Sequence, residues 1–364
     1  MKFKVISIGN ELLSGDTINT NAAYLGKRLS ENGYDLDSVE TIRDVKSVIK
    51  ETFQKALQEG GVIIVTGGLG NTHDDLTAEV ACSLFKIAPT PLQNRWGTAD
   101  GWNFEGRLFL LPGVPVQMQE MFEAYLVPYF LKTIPTTKTF RTVNLALLSE
   151  DIVDPFLLKL QAKHPGVEIG ICPSYGKLAI HFSGKGDLTP LVEELRTQFS
   201  GALFEDSSLS HVIHRVMIEE GLTLALAESC TGGYIASSLC SIPGASAYFL
   251  GSMVCYSNQL KEEFLGVKKE LLQSEGAVSE ACANAMAAGL KARTKADYVV
   301  AVTGVAGPSG GTEKAPVGTV WLAIGDPQGD IETFCLQSKG RNRTTMIEFT
   351  TQMVLARLWK QLTA

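Results

Sequence analysis

A serine stands where an apolar run gives way to small residues: Leu224-Ala225-Leu226-Ala227-Glu228-Ser229-Cys230-Thr231-Gly232-Gly233, with a helical pattern starting at Tyr234. The run reads as a strand, and the glycines as a tight turn that opens a helix. Such a junction presents backbone N–H groups and the positive end of a helix dipole. Ser229 is there either as a nucleophile or as part of an anion cradle. A serine hydroxyl attacks poorly unless a base sits beside it. None of the histidines His73, His164, His181, His211 and His214 lies in this run or in the stretches downstream of it, so a Ser-His-Asp triad is not expected there. Lys261 follows an apolar strand pattern from Tyr248 to Tyr256. A lysine partly buried there would have a depressed pKa and could act as the base; otherwise Lys261 is a surface helix residue.

Other groups downstream could hold a ligand. Asn258 lies in Tyr256-Ser257-Asn258-Gln259-Leu260-Lys261, and Thr303-Gly304 ends the apolar run Tyr298 to Val302. Gly307-Pro308-Ser309-Gly310-Gly311 is either a phosphate-binding loop or an ordinary wide turn. Arg341 and Arg343 follow Gly340 at the start of the last helix and could clamp a phosphate. Gly232 and Gly233 offer a second cradle at their helix start. Cys230 is a rival nucleophile or a space-filler, and Glu228 a helix cap or a surface carboxylate. Near the amino terminus, Asp74 and Asp75 follow Thr66-Gly67-Gly68-Leu69-Gly70. They read as helix caps, or as ligands for a metal, a ribose or a pterin. Glu11, just past the first strand, is the other candidate acid.

The elements that must position these groups are α/β. Residues 2–8 form a β-branched-rich strand, 17–32 an amphipathic helix with Ala22, Leu25 and Leu29 on one face, and Val62-Ile63-Ile64-Val65 a buried strand. Strands and helices alternate to about residue 130, which predicts a doubly wound, mostly parallel sheet covered on both faces. Ligands bind beyond the carboxyl ends of such strands, where the Gly9–Gly15 and Gly67–Asp75 loops fall. Thr133-Ile134-Pro135-Thr136-Thr137 reads as a linker closing a domain over 1–134. Residues 139–203 read strand, helix, strand, strand, helix, a small α+β segment whose hairpin turn is Cys172-Pro173-Ser174-Tyr175-Gly176. After a boundary near Glu205-Asp206-Ser207-Ser208, a third α/β domain spans 206–364 and ends in a helix around 342–361.

The net charge of −7 weighs against nucleic acid as a partner, which needs a basic face. The seven cysteines are dispersed, with no Cys-x-x-Cys pair and no Cys/His cluster, so no structural zinc is expected. Their odd number fits a reducing cytoplasm better than a disulfide scaffold. No signal-peptide pattern and no apolar run long enough for a bilayer is seen, so no membrane association is expected.

Five stretches in order carry a resemblance: Glu228–Gly233, Tyr256–Lys261, Gly276-Ala277-Val278-Ser279-Glu280, Thr303–Gly311 and Pro316-Val317-Gly318-Thr319-Val320. Together they resemble the C-terminal domain of the CinA family, which resembles nicotinamide-nucleotide amidase. Ile8-Gly9-Asn10-Glu11-Leu12-Leu13-Ser14-Gly15, Asn19-Thr20-Asn21, Thr66–Thr77 and Leu111-Pro112-Gly113-Val114-Pro115 resemble the molybdopterin-binding-like domain that begins CinA proteins. The segment 139–203 resembles the family's middle segment.

The resemblance implies hydrolysis of the carboxamide of nicotinamide mononucleotide to nicotinate mononucleotide and ammonia, with no cofactor. It favours Ser229 as nucleophile over Cys230, with Lys261 as base and Tyr256 as proton relay. Thr231, Gly232, Gly233, Asn258, Thr303, Gly304, Gly307, Gly310, Arg341 and Arg343 would bind the nucleotide substrate. It also implies a homo-oligomer. For the N-terminal domain it implies ADP-ribose pyrophosphatase activity, through Glu11, Gly67, Gly68, Asp74 and Asp75 and with a divalent metal as candidate cofactor. A non-enzymatic competence- or damage-associated role is the third reading. Three departures weaken the N-terminal site: Asn71 replaces the usual Pro, Gln117 the usual Glu, and the stretch between Phe85 and Gly106 is short.

Overall fold

The computed structural model describes residues 1–70, 76–136, 138–206 and 208–363. Two compact units form. The first holds Met1–Arg141 with Gly166–Glu168 and Phe182–Leu188; the second holds Thr142–Pro165, Ile169–His181 and Thr189–Ala364.

In the first unit, β1 (Phe3–Ile8), β2 (Leu36–Ile42), β3 (Val62–Thr66), β4 (Thr90–Leu92), β5 (Gly101–Phe104) and β6 (Leu108–Leu111) make one sheet ordered β2-β1-β3-β6-β5-β4. The first four in that order run parallel, while β5 and β4 are antiparallel additions. Val5, Val62 and Ile64 pack against Leu25 and Leu29 of helix Thr20–Glu31. Ile6, Ile63 and Val65 pack on the opposite face, with Ile49 and Phe53 of helix Lys46–Glu59. Burial on both faces is why β3 reads as an unbroken apolar run, Val62–Val65, in the sequence. Gly67 ends β3 at φ +102°, and a Cβ there would meet the Ile8 carbonyl oxygen at 2.1 Å. The first glycine of that loop is therefore required by the backbone itself.

The segment after residue 137 supplies β7 (Lys138–Ala146), β8 (Val167–Ser174), β9 (Lys177–Lys185) and β10 (Leu203–Phe204), ordered β10-β7-β9-β8, with helices Glu150–Lys163 and Thr189–Gln198. The β8–β9 turn is tighter than the sequence suggested. The strand runs through Cys172, Pro173 and Ser174, leaving only Tyr175 and Gly176 to turn the chain.

The second unit carries β11 (Leu224–Glu228), β12 (Phe249–Val254), β13 (Tyr298–Gly304), β14 (Thr319–Gly325) and β15 (Ile331–Gln337), ordered β12-β11-β13-β14-β15. β11 lies between two parallel neighbours, β12 and β13, whereas β14 and β15 are antiparallel. One face stacks Leu224, Leu226, Val300 and Val302 on helices Leu209–Glu219 and Arg343–Leu362. The other presents the smaller Ala225, Ala227 and Ala301 to helix Glu280–Thr294. Phe204, from β10, joins the first of these cores and packs its ring 5.3 Å from that of Trp359. Phe204→Ala in the full chain is expected to destabilise this unit by about 3 kcal/mol, as for other buried Phe truncations. Urea unfolding followed by tryptophan fluorescence reads it, and a change below about 1 kcal/mol would show that Phe204 is dispensable to the core. Among the described residues, no helix is long and apolar enough to cross a membrane.

Candidate active site

β11 delivers Ser229 at its carboxyl end. The serine N–H still belongs to the sheet and donates to the Val302 carbonyl at 3.0 Å. The chain then turns: Gly232 N–H donates to the Ser229 carbonyl at 3.1 Å, and Gly233, at φ +97°, adopts a left-handed backbone before helix Tyr234–Cys240. Glu228 organises this turn. Its carboxylate, 1% exposed, accepts the N–H groups of Gly233 (2.9 Å), Ile235 (3.2 Å) and Ala236 (2.9 Å), and the Ser252 hydroxyl at 3.2 Å. The helix start thus has its anion supplied by the chain itself. This corrects the expectation that Gly232 and Gly233 cradle a phosphate, since the N–H groups of both are already bonded within the turn.

Lys261 enters from β12's side. Ser257 caps helix Asn258–Leu265, accepting Leu260 N–H at 3.2 Å, and Lys261 lies one turn further, facing inward. Its side chain is 1% exposed. Nζ lies 3.0 Å from Ser229 Oγ, 2.9 Å from the Cys255 carbonyl and 3.4 Å from the Tyr256 carbonyl. Among the described residues no carboxylate bonds to it. Burial therefore dominates and holds its pKa below the ordinary lysine value. A neutral amine has two N–H donors and one lone pair. The two carbonyls can take the donors, which leaves the lone pair for the Ser229 proton. Burial pushes the thiol of Cys230 up to about 12 and that of Cys282 to about 11, and raises Cys255 as well. Cys230 is accordingly a neutral thiol, not a competing nucleophile.

The remaining sequence candidates separate into groups. Arg343 reaches the site's rim, donating to the Gly307 carbonyl at 2.9 Å and to the Tyr256 hydroxyl. Tyr256 meets Lys261 only through its carbonyl, and its phenol bonds to neither Ser229 nor Lys261. The proton relay assigned to that phenol is not formed. Arg341 points away from Arg343: Nε donates to Ser338 Oγ at 2.6 Å, and the guanidinium lies over the rings of Tyr175 (4.5 Å) and Phe349 (4.4 Å). The two arginines therefore do not form one clamp. Thr303, buried, donates to the Ala277 carbonyl at 2.6 Å and ties β13 to the 276–279 loop, while Gly304 pairs with Val320 in the sheet. Thr231 is 3% exposed and its hydroxyl makes no hydrogen bond. Asn258 is exposed at the first position of the Lys261 helix. Gly310 lines a cleft of about 540 Å³ with Gly276, Val278 and Lys314, whose lining includes neither Ser229 nor Lys261.

In the first unit, Asp74, Asp75 and Asn71 lie outside the described residues. Glu11 is exposed, and its carboxylate folds back over Gly9. Gly68, like Gly67, has positive φ, and a Cβ there would meet Thr77 Oγ1. Gln117, on helix Pro115–Met121, meets the short 93–100 loop, accepting from Asn94 Nδ2 at 2.9 Å while Asn94 also donates to the Ala99 carbonyl at 2.8 Å. Among the described residues, no three His, Cys, Asp or Glu side chains gather as a metal site.

Of the two roles open to Glu228 in the sequence, the structure shows the helix cap and not the surface carboxylate; the thiols around Lys261 carry no local sequence signal. The signal for the first was present: a carboxylate closing a buried strand, followed within five residues by a Gly-Gly helix start.

Residues 206–362 match the model of the CinA C-terminal domain family, and residues 4–132 match the family described as probable molybdopterin binding domain. A CinA-like protein of Fervidobacterium nodosum is 34% identical over 394 residues, covering 95% of this chain and 96% of that one. A CinA-like protein of Endomicrobium trichonymphae is 34% identical over 389 residues, covering 90% of this chain and 91% of that one. Among solved structures, the competence/damage inducible protein CihA of Agrobacterium tumefaciens is 39% identical, with a TM-score of 0.41 over 41% of this chain and 91% of that one.

Proposed function

The chain belongs to the CinA family, and on that premise we propose that its second unit hydrolyses the carboxamide of nicotinamide mononucleotide, releasing ammonia and nicotinate mononucleotide. The observation that carries this reading is the 3.0 Å contact between Lys261 Nζ and Ser229 Oγ, both buried at the end of β11.

In this mechanism neutral Lys261 takes the Ser229 proton as Oγ attacks the carboxamide carbon. The carbonyl oxygen becomes an oxyanion, whose stabilisation is assigned to the backbone N–H groups of Cys230 and Thr231, the residues that follow Ser229 in the chain. The Lys261 ammonium, held by the Cys255 and Tyr256 carbonyls, returns its proton to the departing nitrogen, which leaves as ammonia. Water then attacks the acyl-serine, with Lys261 again accepting a proton and handing it back to Ser229 Oγ. Arg343 is assigned to the substrate's 5′-phosphate, because it is the cation on the rim beside the Gly307 loop. Thr231 is assigned a hydrogen bond to the substrate, its hydroxyl being buried and otherwise unbonded.

Ammonia release from nicotinamide mononucleotide by the full chain tests the proposal, run beside an assay for ADP-ribose cleavage. Cleavage of ADP-ribose with no ammonia release would move the activity to the first unit. Gln117 weighs against that outcome, since an amide stands in place of the usual acid and is already bonded to Asn94.

A further inference from the structure

Arg341 and Arg343 are separated by a single residue yet serve opposite sides of the chain. Arg343 begins the C-terminal helix and faces Tyr256 and the Gly307 loop. Asn342 between them caps that helix, accepting Thr345 N–H at 2.9 Å. Arg341 anchors the other side. Its guanidinium is stacked on Tyr175 at the β8–β9 turn and on Phe349, and those two rings meet edge to face at 5.7 Å. The turn itself lies on the helix, since a Cβ at Gly176 would come within 2.7 Å of the Gln352 carbonyl oxygen. An arginine on two aromatic faces is held in orientation as well as in place. One intervening residue leaves a span of at most about 7 Å, too short to absorb much movement.

We infer that Tyr175 is a positioning residue for Arg343: stacked on Arg341, it fixes the 338–343 segment and so the placement of the phosphate-binding guanidinium. The β8–β9 hairpin thereby acts on the affinity of the active site through a path that no substrate atom touches. The consequence for affinity rests on the reading of Arg343 given above, whereas the mechanical coupling does not.

Two measurements on the full chain separate them. In Tyr175→Ala, backbone amide exchange over 339–345 should accelerate, and KM for nicotinamide mononucleotide should rise about tenfold with kcat within about twofold of wild type. Tyr175→Phe keeps the ring and should match wild type in both. Arg341→Lys keeps the charge but loses the planar stack, and should resemble Tyr175→Ala. In an Arg343→Ala background, Tyr175→Ala should raise KM no further, because its effect passes through that arginine. Unaltered exchange over 339–345 in Tyr175→Ala overturns the inference whatever the kinetics. So does an additive KM effect in the double variant. If wild-type protein releases no ammonia, the substrate reading fails, and the exchange measurement alone decides the coupling.

Discussion

Ser229→Ala is expected to lower ammonia release by about four orders of magnitude or more, the scale on which removing a nucleophile acts. The loss should be chemical, not structural. The serine's fold-determining bond is its N–H to the Val302 carbonyl, which alanine keeps, and Glu228 holds the following turn without help from the hydroxyl. The melting temperature should therefore stay within a few degrees of wild type, and substrate should still bind. A variant retaining more than about a tenth of the activity would leave Ser229 as a ligand contact and return the search for a nucleophile to its starting point.

Lys261→Met should cost roughly 10³-fold in rate, in the range of a lost general base, while Lys261→Arg should fail almost as badly because arginine stays protonated. The pH dependence has a definite sign. Only the neutral amine can accept the Ser229 proton, and burial lowers the folded-state pKa, so kcat/KM should climb with pH through that lowered value and plateau above it. The same limb should be absent from the residual activity of Lys261→Met. Stability follows in the same direction. The unfolded chain binds a proton at Lys261 up to about pH 10.4, while the folded chain releases it earlier. Folding stability therefore rises with pH between the lowered value and about 10.4, and is lost as pH falls across that window. Lys261→Met has no such term, so the stability of wild type relative to this variant should decline as pH drops. An active Lys261→Arg with an unchanged profile would reduce Lys261 to a source of positive charge.

The sequence shows residue types and local elements well. The β11 strand, the turn and the helix at Tyr234 were readable because an apolar run, two glycines and a helical pattern follow one another directly. The run Val62–Val65 was readable because both its faces are covered. Proximity is another matter. Ser229 and Lys261 lie 32 residues apart and meet because β12, which leads to Lys261, pairs in parallel with β11, a pairing that no local residue pattern displays. Divergence was equally hidden. Arg341 and Arg343 look like a pair in the sequence, but a helix cap between them sends one to an aromatic stack and the other to the rim. The Gly232–Gly233 cradle failed for a related reason: local composition advertises a free helix end, and whether another side chain already fills it depends on a buried carboxylate's orientation.

The cysteines of the chain fall into two populations. Cys82, Cys172, Cys240 and Cys335 are exposed, whereas Cys230, Cys255 and Cys282 are buried around Lys261, their thiols held protonated. Cysteine reacts with peroxides and disulfides as the attacking thiolate, and only where they can reach it. In an oxidising medium the outer four are therefore sacrificial, consumed before any sulfur beside the amine. The buried lining that keeps the lysine neutral is also the part of the molecule that oxidative damage reaches last.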